Sequence, residues 1–291
     1  MGSTGKRGKR AAAVGTSPFG RLLREWRLRG GLSQLRLATE AGVSPRHLSF
    51  VETGRAQPSR EMVLRLSEAL DVPLRDRNDL LSAAGFAAIY RERAIGHDEL
   101  APVERMIGFL LERCEPFPAY LLDRRMRILR SNRAASAILS PFARDHAIWH
   151  EEPRNLLRLT LHPEGFRSSI VNFDEVASAL LVRLARTAAA TPSDPELEAL
   201  LTELRALPGL PDAGRPSDRT RPVPPILAMH MKSGTLELRF FSMLSTLGTP
   251  QDVTLQDLHV ETLMPADEAS EALMRALGEA AAGPEVGKGS A

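Results

Sequence analysis

The sequence predicts an α+β fold in two parts: an all-α domain of five short helices, then a larger α+β domain with an antiparallel sheet. Apolar residues recur at helical spacing between residues 19 and 85, separated by serine, proline and glycine. Three segments after residue 225 instead alternate apolar and polar residues, as half-buried strands do. A chain of 291 residues has room for both domains.

The expected division follows composition and charge. Residues 1–95 carry 17 Lys and Arg against 9 Asp and Glu, whereas the remainder carries 21 against 27. A basic domain on an acidic body indicates a polyanionic partner for the first part alone. We expect a disordered basic arm at 1–17, the helical domain at 18–90, a connector at 91–102, the α+β domain at 103–282 and a disordered tail at 283–291.

The five helices have recognisable starts and stops. The first is Phe19–Arg29 before Gly30; Ser33 caps the second; Ser44 and Pro45 begin the third; Ser59 caps the fourth; Pro73 opens the fifth, which ends at Gly85.

The second and third helices fit a helix-turn-helix, which needs a tight turn and a close helix contact. Gly42 permits the turn, Ala38 is small, and Leu48 and Val51 fasten the third helix to the domain. This pattern leaves an outward surface, suited to a DNA major groove, at Ser44, Pro45, Arg46, His47, Ser49 and Phe50.

The second domain mixes both periodicities. Helices are predicted at Val103–Arg113, Val171–Ala190, Pro195–Leu207 and Asp267–Ala282. A hairpin is predicted from Ala119–Asp123 and Arg127–Ser131, and further strands from Ile226–Met231, Leu236–Leu247 and His259–Met264, with Lys232, Ser233 and Gly234 as a turn. A loop is predicted over residues 208–225.

A curved sheet covered by helices on one face can enclose an apolar hollow. Ordinary core packing remains the alternative for its apolar candidates, and solvation for its polar ones. The candidate lining residues are Tyr120, Met229, Met231, Phe240 and Met243, with Arg154 and His162 as possible anchors for a carboxylate.

The sequence does not support a disulfide-bonded, membrane-spanning or secreted protein. The only cysteine, Cys114, excludes an intramolecular disulfide, and no run of about twenty apolar residues predicts a membrane span. With no signal-peptide pattern, we expect a cytoplasmic protein. The acidic residues Asp252, Asp257 and Glu261 have no activating partner in the sequence.

Metal and catalytic motifs are also missing from the sequence. His146, His150 and Glu151 have helical spacing but no third ligand at a diagnostic interval. Phosphate-binding glycine loops and nucleophile motifs are absent too, so we expect no catalytic residue, metal or cofactor.

The first domain resembles the Cro/C1 or XRE family of phage-repressor type, with its lambda-repressor-like five-helix fold. The resemblance covers Phe19–Val72. It rests on Gly-Leu-Ser-Gln at 31–34, Ala-Gly-Val-Ser at 41–44 and Glu-x-Gly-x-x-x-Pro-Ser at 52–59. It implies a duplex DNA partner and an Arg27–Glu52 ion pair that ties the first helix to the third.

The resemblance also implies DNA roles for single residues. Gln34 should bond a phosphate and Arg46 should read a base, with Arg55 and Arg60 clamping phosphates. Ser49 could bond a base and Phe50 could meet a thymine methyl, whereas His47 fits solvent or a phosphate better. Pro45 and Phe50 depart from the polar residues usual at their positions, so few direct hydrogen bonds to bases are expected.

Nearly the whole chain, apart from the basic arm and the tail, resembles the MmyB-like branch of this family, whose PAS-like α+β body is regarded as ligand-binding. The motifs that carry this resemblance include Arg-Asp-Arg-Asn-Asp-Leu-Leu at 75–81, Asn-Leu-Leu-Arg-Leu-Thr-Leu-His-Pro-Glu-Gly at 155–165 and Ile-Val-Asn-Phe-Asp-Glu at 170–175. It implies a small apolar or fatty-acid-like effector.

Together these features predict a homodimeric, sequence-specific transcription regulator that responds to an effector. Two alternatives stay open: the body is only a dimerisation or protein-docking module, or the chain is an enzyme with a regulatory DNA-binding domain.

Overall fold

The structure is a computed structural model, and it describes residues 17–143, 147–191, 194–211 and 226–282. The described residues form two units, divided between Arg91 and Glu92. Residues 1–16 of the expected arm, the tail, most of the 208–225 loop and His146 lie outside the described residues, whereas Ser17, predicted as part of the arm, caps the first helix.

The N-terminal unit is entirely helical. Its helices are α1 (Pro18–Arg29), α2 (Gln34–Glu40), α3 (Pro45–Glu52), α4 (Arg60–Ala69) and α5 (Leu74–Ala83). The first four begin after serine caps, Ser17, Ser33, Ser44 and Ser59, whose hydroxyls each accept a backbone N–H of the first turn at 3.0–3.2 Å. Such caps are each worth about 1 kcal/mol, which explains why the sequence located these helices to within a residue or two.

Close packing of α1 on α3 fixes the orientation of the third helix. Leu23 of α1 and Leu48 and Val51 of α3 are completely buried in one apolar cluster. Gly20 lies so near the end of α3 that a Cβ on it would be 2.5 Å from the carbonyl oxygen of Glu52. The glycine therefore permits the helices to approach as closely as they do.

The helix-turn-helix turn is made at Gly42, whose φ of +64° is in the left-handed region. The N–H of Val43 then donates to the carbonyl of Ala38 at 2.9 Å, which closes the end of α2. This is a left-handed glycine C-cap, and it directs the chain steeply into α3.

The C-terminal unit is α+β. Its helices are α6 (Ala101–Arg113), α7 (Arg133–Leu139), α8 (Ala147–His150), α9 (Leu156–Leu161), α10 (Phe173–Ala190), α11 (Pro195–Arg205), α12 (Val253–Asp257) and α13 (Glu268–Ala282). Its strands are β1 (Ala119–Leu122), β2 (Ile128–Ser131), β3 (Ala228–Ser233), β4 (Leu236–Thr246) and β5 (His259–Pro265).

These strands form one antiparallel sheet in the order β2-β1-β5-β4-β3. The predicted turn between β3 and β4 is shorter than expected. Lys232 and Ser233 pair with Glu237 and Leu236 inside the hairpin, and the turn is made by Gly234, with a φ of +59°, and Thr235. Part of the predicted connector is also helical, with a 3-10 turn at Asp98–Leu100 and α6 from Ala101.

The sheet has two different faces because side chains alternate along each strand. One face, which includes Tyr120, Phe240 and Leu263, belongs to the main core, to which α7, α9, α10, α11 and α13 also contribute residues. The opposite face contributes Leu121 and Val260 to a smaller cluster under α6. Within the described residues, no helix is both long and apolar enough to cross a bilayer.

Candidate nucleic-acid interface and effector cavity

The start of α3 faces outward from the N-terminal unit. Leu48 and Val51 are fully buried and hold the helix to the core. The residues before them are exposed: Ser44, Pro45, Arg46 and His47. Ser49 and Phe50 are half-buried on the border of this surface. The helix thus presents its N-terminal turn, which is the part that base-reading helices insert into the major groove.

Arg46 is held by a neighbour on its own helix. Its guanidinium carbon lies 5.4 Å from the centre of the Phe50 ring, one turn further along. This is within cation–π range, and the stacking limits the directions in which the guanidinium can point. Phe50 therefore orients the Arg46 guanidinium, and its own ring edge borders the same surface.

Arg27 and Glu52 form a buried ion pair beneath this surface. Arg27 Nε and Nη2 donate to the two carboxylate oxygens of Glu52 at 2.6 and 3.0 Å, and Nη1 donates to the Leu32 carbonyl at 2.9 Å. The hydrogen bond to Glu52 raises the pKa of Arg27. Glu52 therefore faces inward and keeps its negative charge away from the exposed surface.

Gln34 lies in the same network. Its amide nitrogen donates to Glu52 Oε2 at 2.7 Å. The sequence predicts a DNA phosphate as its partner, but this amide already donates within the unit because Glu52 has spare acceptor capacity. A phosphate contact through the second amide hydrogen or the backbone N–H stays a prediction.

Two further cations flank the segment after α3. Arg55 and Arg60 are both exposed, and Pro58 between them is buried. The Arg55 N–H donates to the Phe50 carbonyl at 2.7 Å, which holds the start of this loop on the end of α3. The two guanidiniums are therefore available to an anion beside the helix.

In the C-terminal unit, a cavity of about 130 Å³ lies between the sheet and the helices. Its walls are mainly apolar and come from four strands and from α7, α9 and α10. The lining residues are Tyr120, Met126, Leu139, Leu156, Leu157, Thr160, Phe166, Leu180, Arg183, Leu227, Met229, Met231, Phe240, Ser242, Glu261 and Leu263.

The cavity brings together four of the seven predicted ligand residues: Tyr120, Met229, Met231 and Phe240. Placing Met243 here was wrong. It is 56% exposed on the opposite face of the sheet, because it is an odd number of residues from Phe240 on β4.

Arg154 and His162 are also outside the cavity lining. Arg154 borders a separate small crevice beside Tyr120 and pairs with Glu152 at 3.1 Å. His162 follows the end of α9, where its Nδ1 accepts the N–H of Glu164 at 3.2 Å in a local turn. The apolar run that they flank folds as the short helix α9, and neither flanking side chain lines the cavity.

Two polar groups of this cavity, Glu261 and Ser242, are not among the predicted ligand residues. Glu261 is buried opposite Tyr120 in the β1–β5 pair, and its Oε1 accepts a hydrogen bond from Ser242 Oγ. Its Oε2 has no partner among the described residues. Burial raises the pKa of Glu261, and burial followed by the charge of Glu261 raises the pKa of Tyr120.

The other acidic candidates have structural partners. Asp252 pairs with Arg93 at 2.7 Å and caps α12, and Asp257 lies 3.6 Å from Arg124. Among the described residues, no three His, Cys, Asp or Glu side chains are grouped to hold a metal ion.

Two family models match the chain. The model described as helix-turn-helix matches residues 23–76, which contain the α2–α3 pair. The model described as MmyB-like transcription regulator ligand binding domain matches residues 103–277, which contain the sheet and the cavity.

Two solved structures of regulators are similar to part of the chain. The restriction-modification controller protein C.AhdI from Aeromonas hydrophila is 38% identical over 21% of this chain and 92% of its own, with a TM-score of 0.20. The clp gene regulator ClgR from Corynebacterium glutamicum is 27% identical over 34% of this chain and 93% of its own, with a TM-score of 0.21. No curated protein matches the chain.

The match to the MmyB-like ligand-binding domain covers more than half of the chain, and the helix-turn-helix match includes the exposed third helix. The chain therefore belongs to the MmyB-like transcription regulators, with a helix-turn-helix DNA-binding domain followed by a domain of the ligand-binding type.

Proposed function

We propose that this regulator binds an approximately palindromic operator as a homodimer, with α3 of each copy in successive major grooves. The observation that carries the proposal is that the first turn of α3 is exposed while Leu48 and Val51, on its other face, are fully buried. A rigidly held helix that projects its early side chains meets the geometric need of groove reading. The twofold symmetry of a dimer would be matched by two half-sites about one helical turn apart.

Arg46 is the proposed base-reading residue. Its exposed guanidinium, supported by the Phe50 ring, can donate to both O6 and N7 of a guanine. Ser49 and Phe50 can add a hydroxyl contact and an apolar contact to a thymine methyl. His47, Arg55, Arg60 and the backbone at Gln34 are proposed phosphate contacts.

Genome-wide binding of the wild-type protein and an Arg46→Ala, Ser49→Ala variant tests this role. We expect the variant to lose about 1–3 kcal/mol of discrimination at the base that Arg46 reads while it keeps non-specific affinity. Arg65→Ala is the matched control, because it removes one positive charge from α4 of the same unit. An unchanged site preference in the double variant would remove α3 from base recognition.

We further propose that the C-terminal unit binds a small apolar effector in the 130 Å³ cavity. Fatty-acid-like molecules are one class to test. Binding would change operator affinity only if the effector prefers one arrangement of the dimer over another. The adaptable Met126, Met229 and Met231 side chains in the wall support a site that can adjust to its occupant.

The alternative is that this unit only dimerises or docks a protein. Mass spectrometry of small molecules co-purifying with the protein distinguishes the two, with Leu180→Trp as a cavity-filling control. An effector site predicts a bound molecule that the variant lacks. A docking module predicts that no small molecule co-purifies with either protein. It also predicts that added lipids and metabolites do not change operator binding.

A further inference from the structure

The outer side of α6, in the C-terminal unit, exposes large apolar side chains. Its inner side is firmly held, because Ile107 and Leu111 are buried in the smaller cluster beneath the helix. On the outer side, Met106, Phe109 and Leu110 are 47%, 57% and 37% exposed. A group of large apolar side chains on one exposed helix face marks a surface that another molecule covers.

Two opposite charges lie on the same outer side. Arg105 and Glu112 are both exposed, and neither has an ion-pair partner in the part of the chain that the structure describes. They are seven residues apart, so they share a face of the helix but are separated by about 10 Å along its axis. A salt bridge between them within one copy of α6 is therefore out of reach. Phe109 lies between them, close to the midpoint.

We propose that α6 is a dimer interface of this regulator, and that it is covered by α6 of a second copy packed antiparallel to it. A twofold axis that crosses the helix between Gly108 and Phe109 brings Arg105 of each copy opposite Glu112 of the other, because both residues are equally far from that axis. The same axis brings the two Phe109 rings together at the centre. This inference rests on the proposed homodimer and names its interface.

The apolar residues agree with this pairing. In the antiparallel arrangement, Met106 of each copy comes beside Leu110 of the other, on the opposite side of the Phe109 pair from the charges. The interface then has an aromatic and aliphatic centre with ion pairs at its rim, which is the usual anatomy of a protein–protein interface.

The charge pattern favours a second copy and the antiparallel direction. In a parallel twofold pair each residue meets its own counterpart, so Arg105 would face Arg105 and Glu112 would face Glu112, and like charges in contact oppose binding. The charges alone do not make such a surface. On α11, Glu198 and Arg205 are exposed at the same seven-residue spacing, but no large apolar side chain of that helix is exposed.

Sedimentation equilibrium of the full chain without DNA tests the interface through charge reversals. Arg105→Glu and Glu112→Arg each place like charges opposite one another twice per dimer, so each variant should weaken dimerisation about tenfold or more. An equimolar mixture of the two should recover the wild-type affinity, because a copy with two acidic residues then faces a copy with two arginines. The double variant should dimerise like the wild type for the same reason.

The apolar centre and the controls complete this experiment. Phe109→Ser should weaken dimerisation about thirtyfold or more, as the loss of a central aromatic residue does. Glu198→Arg and Arg205→Glu, alone and mixed, are the matched controls on α11 and should change nothing.

Recovery in the mixture or in the double variant also reports that the reversed chains are folded. If the wild type is a dimer that either reversal leaves unchanged, or if neither the mixture nor the double variant recovers, the α6 interface is wrong while the proposed homodimer stands. If the wild type is a monomer without DNA, a second copy is not what covers α6. The number of copies bound to one operator duplex then decides the proposed homodimer separately, and a single copy would refute it as well.

Discussion

The guanidinium of Arg27 on α1 and the carboxylate of Glu52 on α3 form a two-contact ion pair between buried side chains. A second donor, the Gln34 amide, reaches the same carboxylate from α2. Three helices are thus joined at one acidic group, which is the last residue of α3. The pair fixes the direction of that helix.

Glu52→Ala should lower the free energy of unfolding of the N-terminal unit by about 3–5 kcal/mol, because it leaves the Arg27 charge buried without its partner. Amide hydrogen exchange of α1 and α3 in the full chain measures this change. Glu40→Gln is the control, since it breaks the exposed Arg36–Glu40 pair and should cost less than about 1 kcal/mol. Altered operator preference at unchanged stability would contradict a structural role for Glu52.

Gly20→Ala should destabilise the same unit by about 1–3 kcal/mol, even though alanine favours helices. The new Cβ would lie 2.5 Å from the Glu52 carbonyl oxygen and 2.7 Å from that of Val51, so α1 must move away from α3.

Gly30→Ala is the matched control for this change. Its nearest neighbour would be 3.6 Å away and its φ is −71°, so its effect should stay within about 0.5 kcal/mol. Thermal unfolding followed by circular dichroism compares the two. Equal melting temperatures would show that the close helix contact has no energetic consequence.

The N-terminal unit could be predicted well because its signals are local. Ser33, Ser44 and Ser59 cap their own helices and Gly42 makes its own turn, so each boundary depends on a few neighbouring residues. The strands of the C-terminal unit were also located from local alternation. Their order in the sheet was not, because pairing between β1 and β5 joins residues about 140 positions apart.

The wrong placement of Met243 and the omission of Glu261 have different origins. Met243 and Phe240 cannot share a face of one strand, and counting residues along β4 would have excluded Met243. Glu261 is different. Its place beside Tyr120 depends on the register of two distant strands, and no local pattern in the sequence contains that register.

Arg55→Gln and Arg60→Gln should each reduce the slope of log affinity against log salt by about 1, if each guanidinium neutralises one phosphate. Affinity should fall by a similar factor on all sequences, because phosphate contacts carry no base information. Fluorescence anisotropy with operator and random duplexes over a salt series measures both. Arg65→Gln on α4 should leave the slope unchanged. A variant that changes operator preference but not the slope would assign its arginine to base reading.

The C-terminal unit should lose stability in acid through Asp194, which is buried beside two arginines. Its carboxylate lies 2.7 Å from Arg124 Nη2 and 2.8 Å from Arg125 Nη2, and it caps α11 at the N–H of Glu196. Burial alone would raise its pKa, but the hydrogen bond from Arg125 and the charges of both arginines lower it below the usual value.

A folded-state pKa below the unfolded one means that the stabilisation is complete above the unfolded pKa, near 3.9, and is lost as pH falls through the lower, folded value. Asp194→Asn should therefore destabilise the unit at neutral pH and flatten the decline of its melting temperature below about pH 4. Glu198→Gln, at an exposed position on α11, should leave that decline unchanged. If wild type and Asp194→Asn lose stability in parallel as pH falls, the ion-pair cluster does not contribute to the acid response, and its acid-sensitive carboxylate lies elsewhere in the unit.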